Sequence, residues 1–144
     1  MYAVALGVVR GVERELPQLR DVLRIKWPND VYVLRPLPIK IGGVLVQSSS
    51  IPPSPHTASS PSFRLVAGVG LNIHNSHPTT CLADLCAPAD PPPVTAALAA
   101  AVFDEVVRAL RQLDDGGLRA IQHVRCRSLF LFPSAPSFCL LAAS

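Results

Sequence analysis

Hydrophobic residues recur at helical spacing across the first 23 positions of this chain. Within the stretch from Tyr2 to Leu23, the apolar stripe consists of Val4, Val8, Val12 and Leu16. Positions three to four apart share one face of a helix, so the pattern predicts an amphipathic helix that packs against a core. Proline lacks a backbone N–H and clashes with the preceding turn, so we expect this helix to end at Pro17.

A second helical pattern runs from Val94 to Leu113. Its main stripe is Leu98, Val102, Val106 and Leu110, with Phe103 and Leu113 beside it. Thr95 is a residue type favoured at helix N-caps, and Gly116-Gly117 is expected to end the helix. The pattern indicates a helix whose role is structural.

Between the helices, the periodicity changes to that of β-strands. Val22 to Trp27 alternates apolar and basic residues, Ile39 to Val46 is largely β-branched, and Phe63 to Ile73 has the apolar character of a buried strand. Glycine inside a strand often marks a close approach of a ligand or of another backbone. Gly68 and Gly70 therefore single out the third strand, although ordinary bulges would also explain them.

The turn after the first strand carries polar groups suited to chemistry. Pro28, Asn29 and Asp30 favour tight turn geometry, and a further short strand should connect them to the strand that begins near Lys40. Asp30 and Lys40 would then lie on neighbouring strands. A carboxylate suits Mg²⁺ and an ammonium suits a phosphate or carboxylate, while the plainer alternatives are a turn-forming Asp and a surface lysine. Trp27 is expected to lie in the core.

Composition bounds the remaining alternatives. A chain of 144 residues with net charge +3 fits one domain, and its scattered basic residues give no nucleic-acid footprint. The 15 prolines favour loops, as in the Ser- and Pro-rich stretch from Gln47 to Ser62. The four cysteines form no CxxC pair and the first residues do not resemble a signal peptide, so reduced thiols and a cytoplasmic location are expected, with an organellar form as the alternative. His74, His77 and Cys81 match no standard zinc spacing.

Three motifs occur in a fixed order: KWPND, KIGGVL and GVGLN. In that order they resemble the catalytic domain of biotin protein ligases, also called holocarboxylase synthetases, and the segment NSHPTTCLADL resembles the eukaryotic branch. The resemblance covers residues 1–121. It implies an α+β fold, a partial class II synthetase-like domain with a central mixed β-sheet and flanking helices. Residues 122–144 do not resemble the family, and we expect them to form a poorly ordered tail without a membrane span.

The resemblance implies ATP-dependent activation of biotin to biotinyl-5'-AMP, followed by transfer to a lysine of a biotin carboxyl carrier domain. The implied biotin contacts are Lys40, Gly43, Leu45 and Gly68. The implied ATP contacts are Lys26, Asn29, Asp30 and Asn72. Lys40 is the implied catalytic residue, and Asp30 is the implied Mg²⁺ ligand.

One family motif has no counterpart in the sequence. The family carries a loop of pattern GRGRxxR upstream of KWPND, and no Gly-Arg-Gly-Arg string occurs among the 144 residues. Because that loop closes over biotin and the adenylate, we expect impaired ligation by this chain alone. A non-catalytic biotin- or nucleotide-binding fragment, or a truncated product without function, remains the alternative.

Overall fold

The computed structural model describes residues 1–34, 37–52, 62–122 and 129–130. Two helices, α1 (Tyr2–Glu15) and α2 (Thr95–Gln122), accompany five strands. The strands are β1 (Leu23–Lys26), β2 (Asp30–Val33), β3 (Ile39–Ile51), β4 (Ser62–Leu71) and β5 (Leu129–Phe130). Short 3₁₀ helices at Pro17–Leu19 and Ala83–Leu85 complete the described elements. The predicted α+β class is confirmed.

The strands form one sheet in the order β4-β3-β2-β1-β5. The first four are antiparallel to their neighbours, whereas the two-residue β5 runs parallel to β1. Consecutive antiparallel strands need only short connections, which explains why β1 and β2 are joined by the Trp27-Pro28-Asn29 turn. The sheet is therefore an antiparallel meander with one short parallel addition.

Helix α1 packs on one face of the sheet and α2 packs against α1, and residues of all three share one core. The buried cluster contains α1 residues such as Leu6 and Val9 together with Ile25, Val31 and Val44 of the sheet. Burial of apolar side chains of this size contributes about 1.5–3 kcal/mol each relative to exposure. The predicted amphipathic helix at the start of the chain is confirmed, and it ends before Pro17 as expected.

The second helix agrees with its predicted stripe, and its first segment ends at the predicted glycine pair. Leu98 is buried, and Val102, Val106 and Leu110 pack partly buried against the core. Phe103, expected beside the stripe, is 68% exposed. Gly117 leaves helical geometry at φ 61° and ψ −160°, yet helical turns resume and continue to Gln122. A glycine can adopt that backbone without a Cβ penalty, so the segment that begins at Thr95 ends at the predicted glycines and a second, short segment follows it.

Three expectations about the strands and the turn between them were wrong. Trp27 is 61% exposed because it lies in the β1–β2 turn rather than in a strand facing the core. The first part of the expected Gln47–Ser62 loop belongs to β3, which continues to Ile51 because it pairs with β4 along that length. Strand β4 is exposed almost throughout because it lies at the sheet edge, not in the core.

Parts of the remaining expectations fall on residues outside the described ranges. These are residues 35–36 of the proline-rich connection, 53–61 of the Ser- and Pro-rich stretch, and 123–128 and 131–144 of the expected tail. Within the described ranges, neither helix has the length and apolar character needed to cross a membrane.

Candidate functional site

Antiparallel register places the predicted site residues on the sheet face that the helices leave uncovered. Residues opposite each other in an antiparallel pair project to the same face. Lys26 pairs with Asp30, Asp30 pairs with Gly43, and Gly43 pairs with Gly70, which makes one row across four strands. A neighbouring position on the same face brings Leu45 opposite Gly68.

An open depression of about 430 Å³ lies on this face. Six of the eight predicted ligand contacts line it, namely Asn29, Asp30, Lys40, Gly43, Leu45 and Gly68. Val44, Val69 and Gly70 also line it, and the sequence had assigned none of them to a site. Gly68 and Gly70 are two residues apart in the same strand, and that spacing is the sequence signal that would have placed both on one face.

A β-bulge brings Lys40 to the same face as Gly43. Tyr32 pairs with Lys40 and Val31 pairs with Gly42, so β3 carries Ile41 as an extra residue. In a regular strand, positions three apart point to opposite faces. The extra residue reverses that parity, leaves Ile41 buried in the core and turns Lys40 toward the depression.

Lys40 and Asp30 form an ion pair at the edge of the depression. The distance between Lys40 Nζ and Asp30 Oδ1 is 2.6 Å, and the side chains are 50% and 24% exposed. A Cβ added at Gly43 would lie 3.3 Å from Asp30 Oδ1 and 3.7 Å from Lys40 Nζ. Glycine at this position therefore keeps the floor beneath the pair free of side-chain atoms.

Asn29 fixes the turn to the middle of β3. Its Nδ2 donates to the Val44 carbonyl at 2.8 Å, and the Val44 N–H donates to the Asn29 carbonyl at 2.9 Å. These two bonds hold the turn beside Gly43 and Leu45, the adjacent residues in β3. The side-chain amide nitrogen of Asn29 thus helps to hold the turn against β3.

The structure places the other two predicted ATP contacts outside the lining of the depression. Asn72 anchors the loop that follows β4: its Nδ2 donates to Thr79 Oγ1 at 3.2 Å, and its N–H donates to the Ile41 carbonyl at 2.8 Å. Lys26 lies with its Nζ 5.4 Å from the centroid of the Tyr32 ring, a cation–π distance. Lys26 still shares the face and the row of Asp30.

The donor set around Asp30 limits how a divalent cation would be held. Within the described ranges there is no group of three or more His, Cys, Asp or Glu residues placed to bind a metal ion. Mg²⁺ is commonly held by one or two carboxylates together with substrate phosphates, and Asp30 would supply one carboxylate. The residues therefore fit a cation that arrives with a nucleotide, and they do not form a protein cage for it.

A larger groove of about 520 Å³ lies on the opposite side of β4, against α2. Its lining is apolar apart from Thr95, with Leu71, Leu98 and Val102 among its walls. Among the described residues that line it, none has a titratable side chain, whereas Asp30 and Lys40 line the smaller depression.

Known proteins with sequences similar to this chain include several biotin–protein ligases. No protein-family model matches the chain. The human protein named biotin–protein ligase is 40% identical over 85 residues, which is 58% of this chain and 10% of that protein. The Arabidopsis thaliana protein named biotin–protein ligase 1, chloroplastic, is 42% identical over 86 residues, or 56% of this chain and 20% of its own length.

A biotin–protein ligase of Schizosaccharomyces pombe is 34% identical over 87 residues, 56% of this chain and 13% of that protein. The chain thus spans only a small fraction of the length of each of these curated relatives. Four such ligases match at 34% identity or more. Over somewhat more than half of its length, this chain is similar in sequence to the biotin–protein ligases.

Proposed function

We propose that this chain binds biotin and ATP on the open sheet face and takes part in biotin–protein ligation. The observation that carries the proposal is the depression itself, where a lysine stands over a glycine floor in a chain related to biotin–protein ligases. The acceptor would be the lysine of a biotin carboxyl carrier domain of a carboxylase.

The reaction proposed here has two steps. A carboxylate oxygen of biotin attacks the α-phosphorus of ATP, the P–O bond to pyrophosphate breaks, and biotinyl-5'-AMP forms. The amine of the acceptor lysine then attacks the acyl carbon, loses a proton, and AMP leaves. The first step brings the negatively charged carboxylate and phosphate oxygens together, and the second develops negative charge on the acyl oxygen and on the departing AMP, so a positioned cation lowers both barriers. Mg²⁺ bound with ATP would neutralise phosphate charge.

The residues of the depression have separable roles in this proposal. Lys40 supplies the positive charge for the biotin carboxylate and the reacting phosphate. Gly43 and Gly68 let the backbone approach the ring system of biotin, and Leu45 gives an apolar wall. Asp30, with Lys26, Asn29 and Asn72 nearby, would serve ATP and its Mg²⁺.

We further propose that these 144 residues alone transfer biotin weakly. Lys40 is the single cationic side chain lining the depression within the described ranges, and the depression is open to water. Removing one preorganised donor from an active site typically lowers the rate by about 10²–10³. A non-catalytic biotin- or nucleotide-binding role is therefore the second candidate function.

Titration calorimetry with biotin, then with ATP and Mg²⁺, tests the proposal directly. We expect the wild-type chain to bind biotin, Lys40→Ala to weaken binding at least about tenfold, and the remote charge change Arg111→Ala to leave it unchanged. Transfer of labelled biotin to an apo carrier domain separates ligase from binding module. Binding with no transfer above background would favour the second candidate, and binding of neither biotin nor ATP would refute both.

A further inference from the structure

The ion pair between Lys40 and Asp30 has a consequence for any anion that binds in the depression. Within the described ranges, Lys40 is the only cation and Asp30 the only anion among the lining side chains. Their charged atoms are 2.6 Å apart, so the depression presents a nearly neutral pair rather than a free positive charge.

This pairing is built into the backbone rather than left to flexible side chains. Asp30 lies opposite Gly43 in the register, and the extra residue in β3 turns Lys40 to the same face. The glycine leaves no side chain to separate them, since a Cβ there would come within 3.3 Å of Asp30 Oδ1. Asn29 ties the turn that carries Asp30 to Val44 through two hydrogen bonds.

A carboxylate ligand that contacts Lys40 Nζ would stand about 4–5 Å from the Asp30 carboxylate, given ordinary hydrogen-bond lengths and the tetrahedral directions of the ammonium donors. Two negative charges at that separation repel each other appreciably even in water. By holding Lys40 in one place, Asp30 offsets this repulsion only slightly, because the ammonium is a flexible point charge with three rotatable donors and gains little from being oriented. Charge cancellation acts whatever the orientation of the ammonium.

We propose that Asp30 is a resting counter-ion that opposes anion binding at Lys40, so that the substrate carboxylate must compete with it. The inference rests on the proposed function and concerns the regulation of the same site. The counter-ion role predicts that removing the charge of Asp30 strengthens the binding of a carboxylate ligand. If Asp30 only supported the ligand, removing its charge would weaken that binding.

The experiment compares biotin with biotinamide, its uncharged analogue, by calorimetry at low ionic strength in EDTA. For Asp30→Asn we expect biotin to bind about fivefold more tightly, which corresponds to about 1 kcal/mol, and biotinamide to bind as to wild type. The gain should shrink with added salt. Asp114→Asn is the matched control, because it makes the same net charge change on the exposed side of α2.

Each outcome decides the matter. Unchanged or weaker biotin binding by Asp30→Asn would overturn the counter-ion role, as would equal tightening of biotin and biotinamide, since that indicates a change of shape. A wild-type chain that binds neither ligand would overturn the proposed function and this inference with it. If the wild-type chain binds biotin but Asp30→Asn binds it no more tightly, only this inference is overturned.

Discussion

Helices α1 and α2 approach each other closely where α1 carries glycine, and Gly11→Ala tests that contact directly. A Cβ built on Gly11 would lie 2.5 Å from the Val102 Cα and 2.7 Å from its backbone nitrogen. Carbon atoms in contact normally stand about 3.5–4.0 Å apart. The obstacle is backbone rather than the end of a movable side chain, so α2 must move away from α1 by about 1 Å to admit the methyl group.

Two effects of opposite sign compete in this variant. Alanine is favoured over glycine inside a helix by about 1 kcal/mol, which stabilises the variant. Overpacking a well-packed contact costs about 1–3 kcal/mol, and a rigid backbone obstacle favours the upper end. We therefore expect a net loss of about 2 kcal/mol in the free energy of unfolding. For a chain of this size, that lowers Tm by about 4–8 °C.

Urea unfolding followed by circular dichroism measures this free energy. Gly70→Ala is the control, because a Cβ at Gly70 would meet no heavy atom within 4 Å, and we expect it to change stability by less than about 0.5 kcal/mol. Gly7→Ala should behave like Gly11→Ala, since its Cβ would lie 2.5 Å from the Val106 Cα. If Gly11→Ala were more stable than wild type, helix propensity alone would be acting, and the packing of α1 against α2 described here would be refuted.

Two further predictions concern carboxylates near the same helices. Glu105 is only 6% exposed and is paired with Arg108 at 2.7 Å and Arg14 at 3.4 Å. The double change Arg14→Ala and Arg108→Ala leaves this buried charge without partners, so it should lower the free energy of unfolding measured in urea by about 3 kcal/mol. A loss smaller than that caused by Glu105→Gln would contradict this. Burial raises the pKa of Glu13 above its ordinary value, so the folded state binds the proton more strongly than the unfolded state, and stability should fall as pH rises from the unfolded to the folded pKa. Glu13→Gln should match wild type at the acid end of that interval and exceed it above, and parallel pH profiles for the two proteins would disprove the assignment.

Local sequence determined the elements of this protein and the identity of its candidate site. The spacing of Val4, Val8 and Val12 predicted α1 because a 3.6-residue period cannot serve a strand, and Pro17 predicted its end for want of an N–H. The KWPND, KIGGVL and GVGLN motifs predicted the relationship to biotin–protein ligases and six residues that do line one depression.

Whether a strand lies at the edge or in the centre of the sheet was decided only by the tertiary structure. An apolar run such as Phe63 to Leu71 has the same composition whether it is buried or lies at an edge, so its exposure could not be predicted. The exposure of Trp27 could not be predicted for the same reason, since burial depends on which other parts of the chain pack against a residue.

The pairing of Lys40 with Asp30 depended on both levels. Sequence placed the two residues on neighbouring strands, but the face on which each side chain lies follows from the parity of positions along β3. One extra residue at Ile41 reverses that parity, and the bulge arises from pairing with β2, which no local pattern reveals. The sequence therefore determined which charged groups the site contains, while the register of the sheet decided that they neutralise each other.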